Sequence, residues 1–430
     1  MTSTAPSTGL SLLRGEPGDV ALIADGRCVD YAELAERVHV RRDELGATRR
    51  LVMVTAGNAL EPVVTYLAAL AGGHPVLLTP PGDDDATGRH RLGLIERFDP
   101  DVIAHDADGA IEQRRRGTRH ALHPDLAMLA STSGSTGSPK LVRLSTENIT
   151  SNAGAIADYL SLAPSDRAAT TLPLHYCYGL SVLNSHLHAG ASVLLTDRSV
   201  SDEQFWHDAS AHRITSLAGV PYTFELLAAN GFAERPLPPL RYVTQAGGRM
   251  HPDALRGLIA LGEQRGFDVF VMYGQTEATA RMAYVPSERV ADAVGAIGVP
   301  IPGGRFRIDE SIGGDAGTGE LVYSGPNVMM GYAQHPGEFS LGPTVTELRT
   351  GDLGRVREDG LYEIVGRISR FVKVFGLRID LDRIERLLTD DGIDARAAGR
   401  DDRLLVFARS DREAEQARQR AASLAGIPLH

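Results

Sequence analysis

The sequence predicts an α/β protein, and three observations carry that reading. Short apolar runs alternate with helical patterns from 51 to 131 and again from 168 to 272, the alternation that builds a parallel sheet with helices covering it. From about 285 to 366 the texture changes to short β-like segments separated by Gly and Pro turns, as in a small antiparallel barrel. Beyond 367 a helix (382–388), a strand (404–408) and a second helix (413–424) follow. The expected architecture is two similar parallel-sheet α/β subdomains to about 284, a small β-barrel, and a small α+β domain at the C-terminus.

The elements follow in order. Residues 51–54, 75–78 and 102–104 read as strands and 61–71 as a helix; the pair Gly72-Gly73 makes the turn after it. Residues 126–130 form a buried strand and 147–160 a helix. Strands are expected at 168–172, 192–195, 216–218, 242–244 and 269–272, with a helix at 201–213 capped by Ser201. In the β-rich stretch, strands are expected at 305–308, 320–323, 346–349, 354–357 and 362–365. Residues 1–9 read as a disordered tail, and no internal repeat is present.

Composition excludes several classes. At 430 residues the chain exceeds one folding unit. Hydrophobic content of 43% and charged content of 23% are those of a globular protein. No apolar run approaches a membrane span, and the N-terminus lacks the regions of a signal peptide. A net charge of −11 argues against nucleic acid and anionic membrane as partners. The two cysteines, Cys28 and Cys177, have no metal spacing and point to a reducing, cytoplasmic setting. His186 and His188 are two apart on an apolar helix, which does not fit chelation from one helical face. Arg114-Arg115-Arg116 and Asp83-Asp84-Asp85 read as solvated loops. The chain has two lysines, Lys140 and Lys373.

The first of these lysines closes the most informative stretch, Ser131-Thr132-Ser133-Gly134-Ser135-Thr136-Gly137-Ser138-Pro139-Lys140. Glycines let a backbone approach a polyphosphate, amides and hydroxyls donate to its oxygens, and a lysine neutralises charge. Pro139-Lys140 and the apolar flanks set the stretch apart from a Gly/Ser linker. It is not a standard P-loop, because Ser138-Pro139 separate Gly137 from Lys140 and Leu141 follows. Further motifs follow strand ends, where open sheets bind ligands. In Tyr273-Gly274-Gln275-Thr276-Glu277-Ala278-Thr279, a tyrosine ring can stack on a purine, a threonine can donate to a phosphate, and a carboxylate can hold Mg²⁺. Gln245-Ala246-Gly247-Gly248 lets a flat ring lie on the backbone. Asp352, in Thr350-Gly351-Asp352, can accept from two vicinal hydroxyls, although Gly-Asp is also an ordinary turn sequence. His175, in Pro173-Leu174-His175-Tyr176-Cys177-Tyr178-Gly179, is a ligand contact or a hydrogen-bonded structural histidine.

Together these motifs, over about residues 20–410, resemble the adenylate-forming superfamily of acyl- and aryl-CoA ligases, luciferases and peptide-synthetase adenylation domains. The resemblance implies a large N-terminal adenylation domain, 1–366, and a mobile C-terminal domain, of which 367–430 is part. It implies ATP and Mg²⁺, with CoA or a carrier-protein phosphopantetheine as the acceptor. Ser133, Gly134, Ser135, Thr136, Gly137 and Lys140 would face the phosphates, and Thr136 and Glu277 the metal. Gly247, Gly248, Tyr273, Gly274, Thr276, Asp352 and Arg367 would hold the nucleotide. His175, Tyr176, Val220, Ala246, Gly248 and Thr279 would line the acid pocket, with Thr136, Lys140, Glu277 and His175 as the catalytic set. Gly319-Glu320-Leu321 and Gly331-Tyr332 match motifs read as structural.

Amino-acid-activating members of that superfamily carry an aspartate near this turn, and none stands between Pro173 and Gly179, so the resemblance implies an acid without an α-amino group. Ser369 replaces the family's usual hinge Asp or Lys. The segment Lys373 to Ile379 matches its glycine-containing loop. No lysine follows Lys373, so the family's C-terminal lysine is missing. Because Gly426-Ile427-Pro428 reads as the lead into another strand, a shortened chain is expected in preference to a naturally short enzyme. The expected reaction is acid plus ATP giving acyl-adenylate and pyrophosphate, then transfer to a thiol. Transfer to an amine and a non-catalytic nucleotide-binding role are the alternatives.

Overall fold

A computed structural model describes residues 11–82, 84–105, 109–131, 140–312, 316–368, 370–374, 377–400, 403–425 and 427. The chain divides into two compact units, one of Met1–Val294, Gly298–Arg305 and Ser324–Leu348, the other of Gly295–Ile297, Phe306–Tyr323 and Arg349–His430.

The first unit contains two sheets. One has the strand order Gly331–Ala333, Leu141–Ser145, Leu126–Ser131, Val76–Thr79, Val52–Thr55, Val102–Ala104, Ile111–Gln113. Its middle strands are parallel and its outer pairs antiparallel. The other runs Asp268–Tyr273, Tyr242–Gln245, Ser216–Gly219, Arg167–Ala169, Ser192–Leu195, Val20–Ala24, Arg27–Asp30, parallel except for its last pair. The helix Leu60–Ala71 is buried from Pro62 to Ala71, as a helix apolar on every side must be. Its N-terminal approach is tied to the second sheet. Asn58 donates to the Thr196 carbonyl at 3.0 Å and accepts from the Leu174 amide at 3.2 Å. Further along, Tyr66 shares a hydrogen bond with Asn184 on the helix Cys177–His188.

In the second unit, the strands Arg305–Asp309, Thr318–Ser324, Leu348–Val356 and Tyr362–Arg367 lie in that order. The Phe306 ring packs 5.1 Å from both Tyr323 and Tyr362. The C-terminal part is α+β, as expected. It holds the hairpins Phe371–Val374/Leu377–Asp380 and Ala395–Arg400/Arg403–Ala408, and the helices Leu381–Asp390 and Asp411–Ala425. Val372, Ile379, Ile384, Leu388 and Ala417 form its own core.

Several local expectations are corrected. A strand, Leu141–Ser145, stands between Lys140 and the helix Thr146–Tyr159, so the glycine-rich stretch joins two antiparallel strands instead of leading straight into a helix. The strands expected at 346–349 and 354–357 are one strand, with Thr350-Gly351-Asp352 inside it. Gly351 at φ +72 and an irregular register at Leu353/Gly354 explain why the sequence looked interrupted. The cap of the helix Glu203–Ala211 is Asp202, not Ser201. Nor is the arginine cluster simply solvated: Arg115 pairs with Asp99 at 2.6 Å and with fully buried Asp101 at 2.7 Å. The expected tail, Asp83 and Ser369 lie outside the described residues.

Two buried histidines make the first unit sensitive to acid. His74 accepts the Arg50 amide proton at Nδ1 and donates from Nε2 to the Gly46 carbonyl, which fixes the neutral ring. Burial, its main cause, lowers its pKa from 6.5 to about 4, and burial does the same to His186. In the unfolded chain these rings take up protons below 6.5; in the folded chain they do not until about 4. Stability is therefore full at neutral pH, falls as pH drops through that window, and levels off below it. For His74→Gln we expect the loss between pH 6.5 and 4 to shrink by about 1–3 kcal/mol in urea melts, relative to the parent chain. An unchanged slope would contradict this reading of His74.

Candidate functional site

The turn after the strand Asp268–Tyr273 is where the sequence motif and the chain trace meet. Thr276–Ala278 forms one turn of 3₁₀ helix. Thr279 and Ala280 then adopt φ of +55 and +95, a left-handed conformation rare for residues with a Cβ. Strain of this kind persists only where neighbours over-determine it, and those neighbours come from 327–332. Asn327 Nδ2 donates to the carbonyls of Ala278 and Arg281, each at 2.8 Å. Thr279 Oγ1 donates to the Asn327 carbonyl at 2.8 Å, and the Met329 amide donates to the Glu277 carbonyl. Glycine is required at 274, because a Cβ there would lie 1.6 Å from the Ala280 carbonyl oxygen.

This strapping presents Glu277 to Tyr332, whose hydroxyl donates to Oε1 at 2.7 Å. Lys140 Nζ stands 4.0 Å from the centroid of the same ring, a cation–π contact. Burial first, then the Glu277 charge and hydrogen bond, push the Tyr332 phenol well above its ordinary pKa, so it stays a donor. Tyr332 thus joins the two charged residues that the sequence singled out. The sequence marked it only as structural, because its partners lie 55 and 192 positions away in the chain. Thr276 Oγ1 donates to Cys177 Sγ at 3.4 Å, bringing the second motif to the 173–179 turn.

Two of the expected acid-pocket residues, Tyr176 and Val220, converge on Gly247, which was expected to hold the nucleotide. A Cβ on Gly247, which sits at φ +78, would meet the Tyr176 hydroxyl at 2.7 Å and Val220 Cγ1 at 3.0 Å. Gly248 lies against Pro221, and Ala246 is buried, its amide bound to the Gly219 carbonyl. Nδ1 of His175 is buried without a hydrogen-bond partner, and burial lowers the pKa of that ring. Thr279 spends its hydroxyl proton on the Asn327 carbonyl, so it can offer a pocket an accepting oxygen and its methyl group. Residues Ser133 to Gly137, with Thr136 among them, lie outside the described residues. Among the described residues no group of three or more His, Cys, Asp or Glu is placed to hold a metal.

In the second unit Asp352 is buried and pairs across the ladder with Arg367, whose Nε donates to Oδ1 at 2.8 Å. Thr350 Oγ1 fixes this bend, accepting from the Asp352 amide at 3.1 Å and donating to the Leu321 carbonyl at 2.7 Å. The Gly351 amide donates to Glu320 at 3.2 Å.

Known proteins resemble this chain in sequence and in fold. Residues 87–333 match the family model described as AMP-binding enzyme, and the chain belongs to that family. It is 33% identical over 280 residues to a sulfoacetate–CoA ligase of Cupriavidus necator, covering 64% of this chain and 54% of that protein. It is 30% identical over 291 residues to an oxalate–CoA ligase of Arabidopsis thaliana, covering 66% and 55%. Over 427 residues it is 30% identical to the phenyloxazoline synthase MbtB of Mycolicibacterium paratuberculosis, covering 90% and 36%. The chain therefore spans about half the length, or less, of these curated relatives. The fold is that of O-succinylbenzoate coenzyme A synthetase of Bacillus subtilis in complex with AMP, with a TM-score of 0.79, 22% identity, and 99% and 93% of the two chains covered.

The need for glycine at 274 is testable against another glycine. Gly274→Ala should cost more than about 3 kcal/mol in a denaturant melt, because backbone must move. Gly257→Ala, in the helix Pro252–Arg265 with open space around its Cβ position, should add about 0.5–1 kcal/mol. Equal effects would show that the turn at 276–281 is not set by Gly274.

Proposed function

We propose that this chain activates a carboxylic acid as an acyl- or aryl-adenylate, releasing pyrophosphate, and passes the acyl group to a thiol of CoA or of a carrier-protein phosphopantetheine. The observation that carries the reading is the link from Lys140 through Tyr332 to Glu277: one cation and one carboxylate held in a fixed relation beside a glycine-rich stretch. The names of the CoA-ligase relatives support the same chemistry.

The acid's carboxylate oxygen bonds to the α-phosphorus as the α–β anhydride bond breaks, and pyrophosphate leaves. No protein nucleophile is required, so these residues act by positioning and by neutralising charge. We assign Lys140 to the phosphates and Tyr332 to holding Lys140 and Glu277 in place. Thr276 is assigned to a phosphate oxygen, the Tyr273 ring to the adenine, and Asp352 with Arg367 to the ribose. His175, Tyr176, Val220 and Ala246 are assigned to the acid. Glu277 would hold a magnesium ion, which binds through one or two carboxylates together with substrate phosphates and water. Bound there, Mg²⁺ would supply positive charge along the triphosphate. A cytoplasmic setting belongs to the same proposal, supported by two free cysteines.

ATP–pyrophosphate exchange over a panel of acids tests this reading. Acid-dependent exchange with AMP as product is expected; release of ADP, or ATP binding with no exchange for any acid, would refute it. Asp352→Ala should weaken ATP binding about tenfold or more, because two hydroxyls lose a charged acceptor. Unchanged affinity by calorimetry would remove the ribose assignment. Tyr332→Phe keeps the ring under Lys140 but loses the bond to Glu277, so exchange should slow by roughly five- to twentyfold. Tyr332→Leu loses both contacts and should slow it further. A fully active Tyr332→Phe would reduce that residue to packing.

A further inference from the structure

Among the described residues three arginines are buried: Arg50, Arg143 and Arg281, at 4%, 0% and 3% exposure. Two of them are well supplied with acceptors. Arg143 donates to the carbonyls of Met330, Tyr332, Leu341 and Gly342. Arg50 donates to the carbonyls of Leu45 and Arg115 and to the Gln113 side chain.

Arg281 differs. Its side chain hydrogen-bonds a thioether, with Nε 3.3 Å from Met272 Sδ, and the Tyr159 hydroxyl. The Tyr159 hydroxyl donates to the same sulfur at 2.9 Å. One face of the guanidinium lies 4.0 Å from the Tyr178 ring centroid. No carboxylate among the described residues pairs with it. A guanidinium carries five donors and stays charged at any physiological pH. A buried charge of this kind is normally paired, and a sulfur, a phenol and a ring supply no opposing charge.

The residue's position gives the missing partner a place. Arg281 lines a crevice with Ser181, Ser216, Tyr242 and Thr244. It lies two positions after Thr279 in the chain, and it is close enough to Tyr176 and Cys177 to act on both electrostatically. Of these neighbours, Tyr176 is assigned above to the acid, and Thr279 was expected beside it. We propose that Arg281 binds a second anionic group, a carboxylate or a sulfonate, on the acid that this chain takes, so that the substrate is a two-anion acid and not a simple fatty or aromatic monoacid. The inference rests on reading the chain as an acid-activating enzyme. The basic side chain in the pocket selects for a negative group remote from the reacting carboxylate, whereas a pocket for an amino acid would offer an acidic one.

The test is calorimetry on the intact chain with a non-hydrolysable ATP analogue present, using matched pairs that differ by one anion. The pairs are acetate with malonate, propionate with succinate, benzoate with phthalate, and benzoate with 3-sulfobenzoate. In at least one pair the two-anion acid should bind about tenfold or more tightly than its partner. Arg281→Met should bring that pair to within about threefold, and Arg281→Lys should keep part of the preference. Equal binding within every pair, or a preference that survives Arg281→Met, overturns the proposal. Should Arg281→Met fail to fold, the parent chain's pairs and Arg281→Lys still decide it. Pyrophosphate exchange with the same acids separates the two readings. Exchange with monoacids and no preference sinks this inference alone. Binding through Arg281 without exchange sinks the activation reading alone.

Discussion

The side-chain amide of Asn327 donates both of its protons to carbonyls of a turn that the chain would not otherwise hold. Those two bonds, with the returned bond from Thr279, set the path of 276–281 against 327–332. Everything distinctive about the first unit's site follows from that path. Glu277 meets Tyr332, Thr276 reaches Cys177, and Arg281 turns inward beneath Tyr178. A buried amide that is fully satisfied fixes one geometry, and here the geometry includes two residues in left-handed conformations, Thr279 and Ala280.

Much of the fold could be read from the sequence because burial on both faces leaves a plain signature. Val52–Thr55, Val76–Thr79 and Ser192–Leu195 are buried at every position and appear as continuous apolar runs. Some of what escaped notice was half-exposed or very short, although Val20–Ala24, five residues and mostly buried, was neither. Arg27–Asp30 and Ile111–Gln113 carry charges and sit at sheet edges. Leu141–Ser145 is masked by Arg143, a charge in a buried strand whose reason is a ring of distant carbonyls. At the site, Lys140, Glu277 and the pair Asp352/Arg367 could be named from motifs because their chemistry is local to each motif. Tyr332 and Arg281 could not, because what gives each a role is a partner brought in by the fold.

Arginine does structural work throughout this chain that backbone amides and lysines do elsewhere. Arg49 reaches the carbonyls of Gly73, Leu122, His123 and Leu126, and Arg115 locks Asp99 to Asp101. A planar fork that never deprotonates suits loops whose carbonyls point inward. Lysine stays scarce, and Lys140 stands as a single point charge over the Tyr332 ring.

The helix Leu60–Ala71 has a consequence for how the first unit must assemble. It shows no polar stripe, and its partners come from strands and helices on both sides. Neither sheet alone could shield it from water, so a chain cut between the sheets would leave one fragment with a naked apolar rod and the other with the matching trough. The two α/β halves look like separate modules on a topology diagram, yet they share this one piece of interior. They are therefore expected to be inherited, expressed and unfolded together, as a single cooperative body.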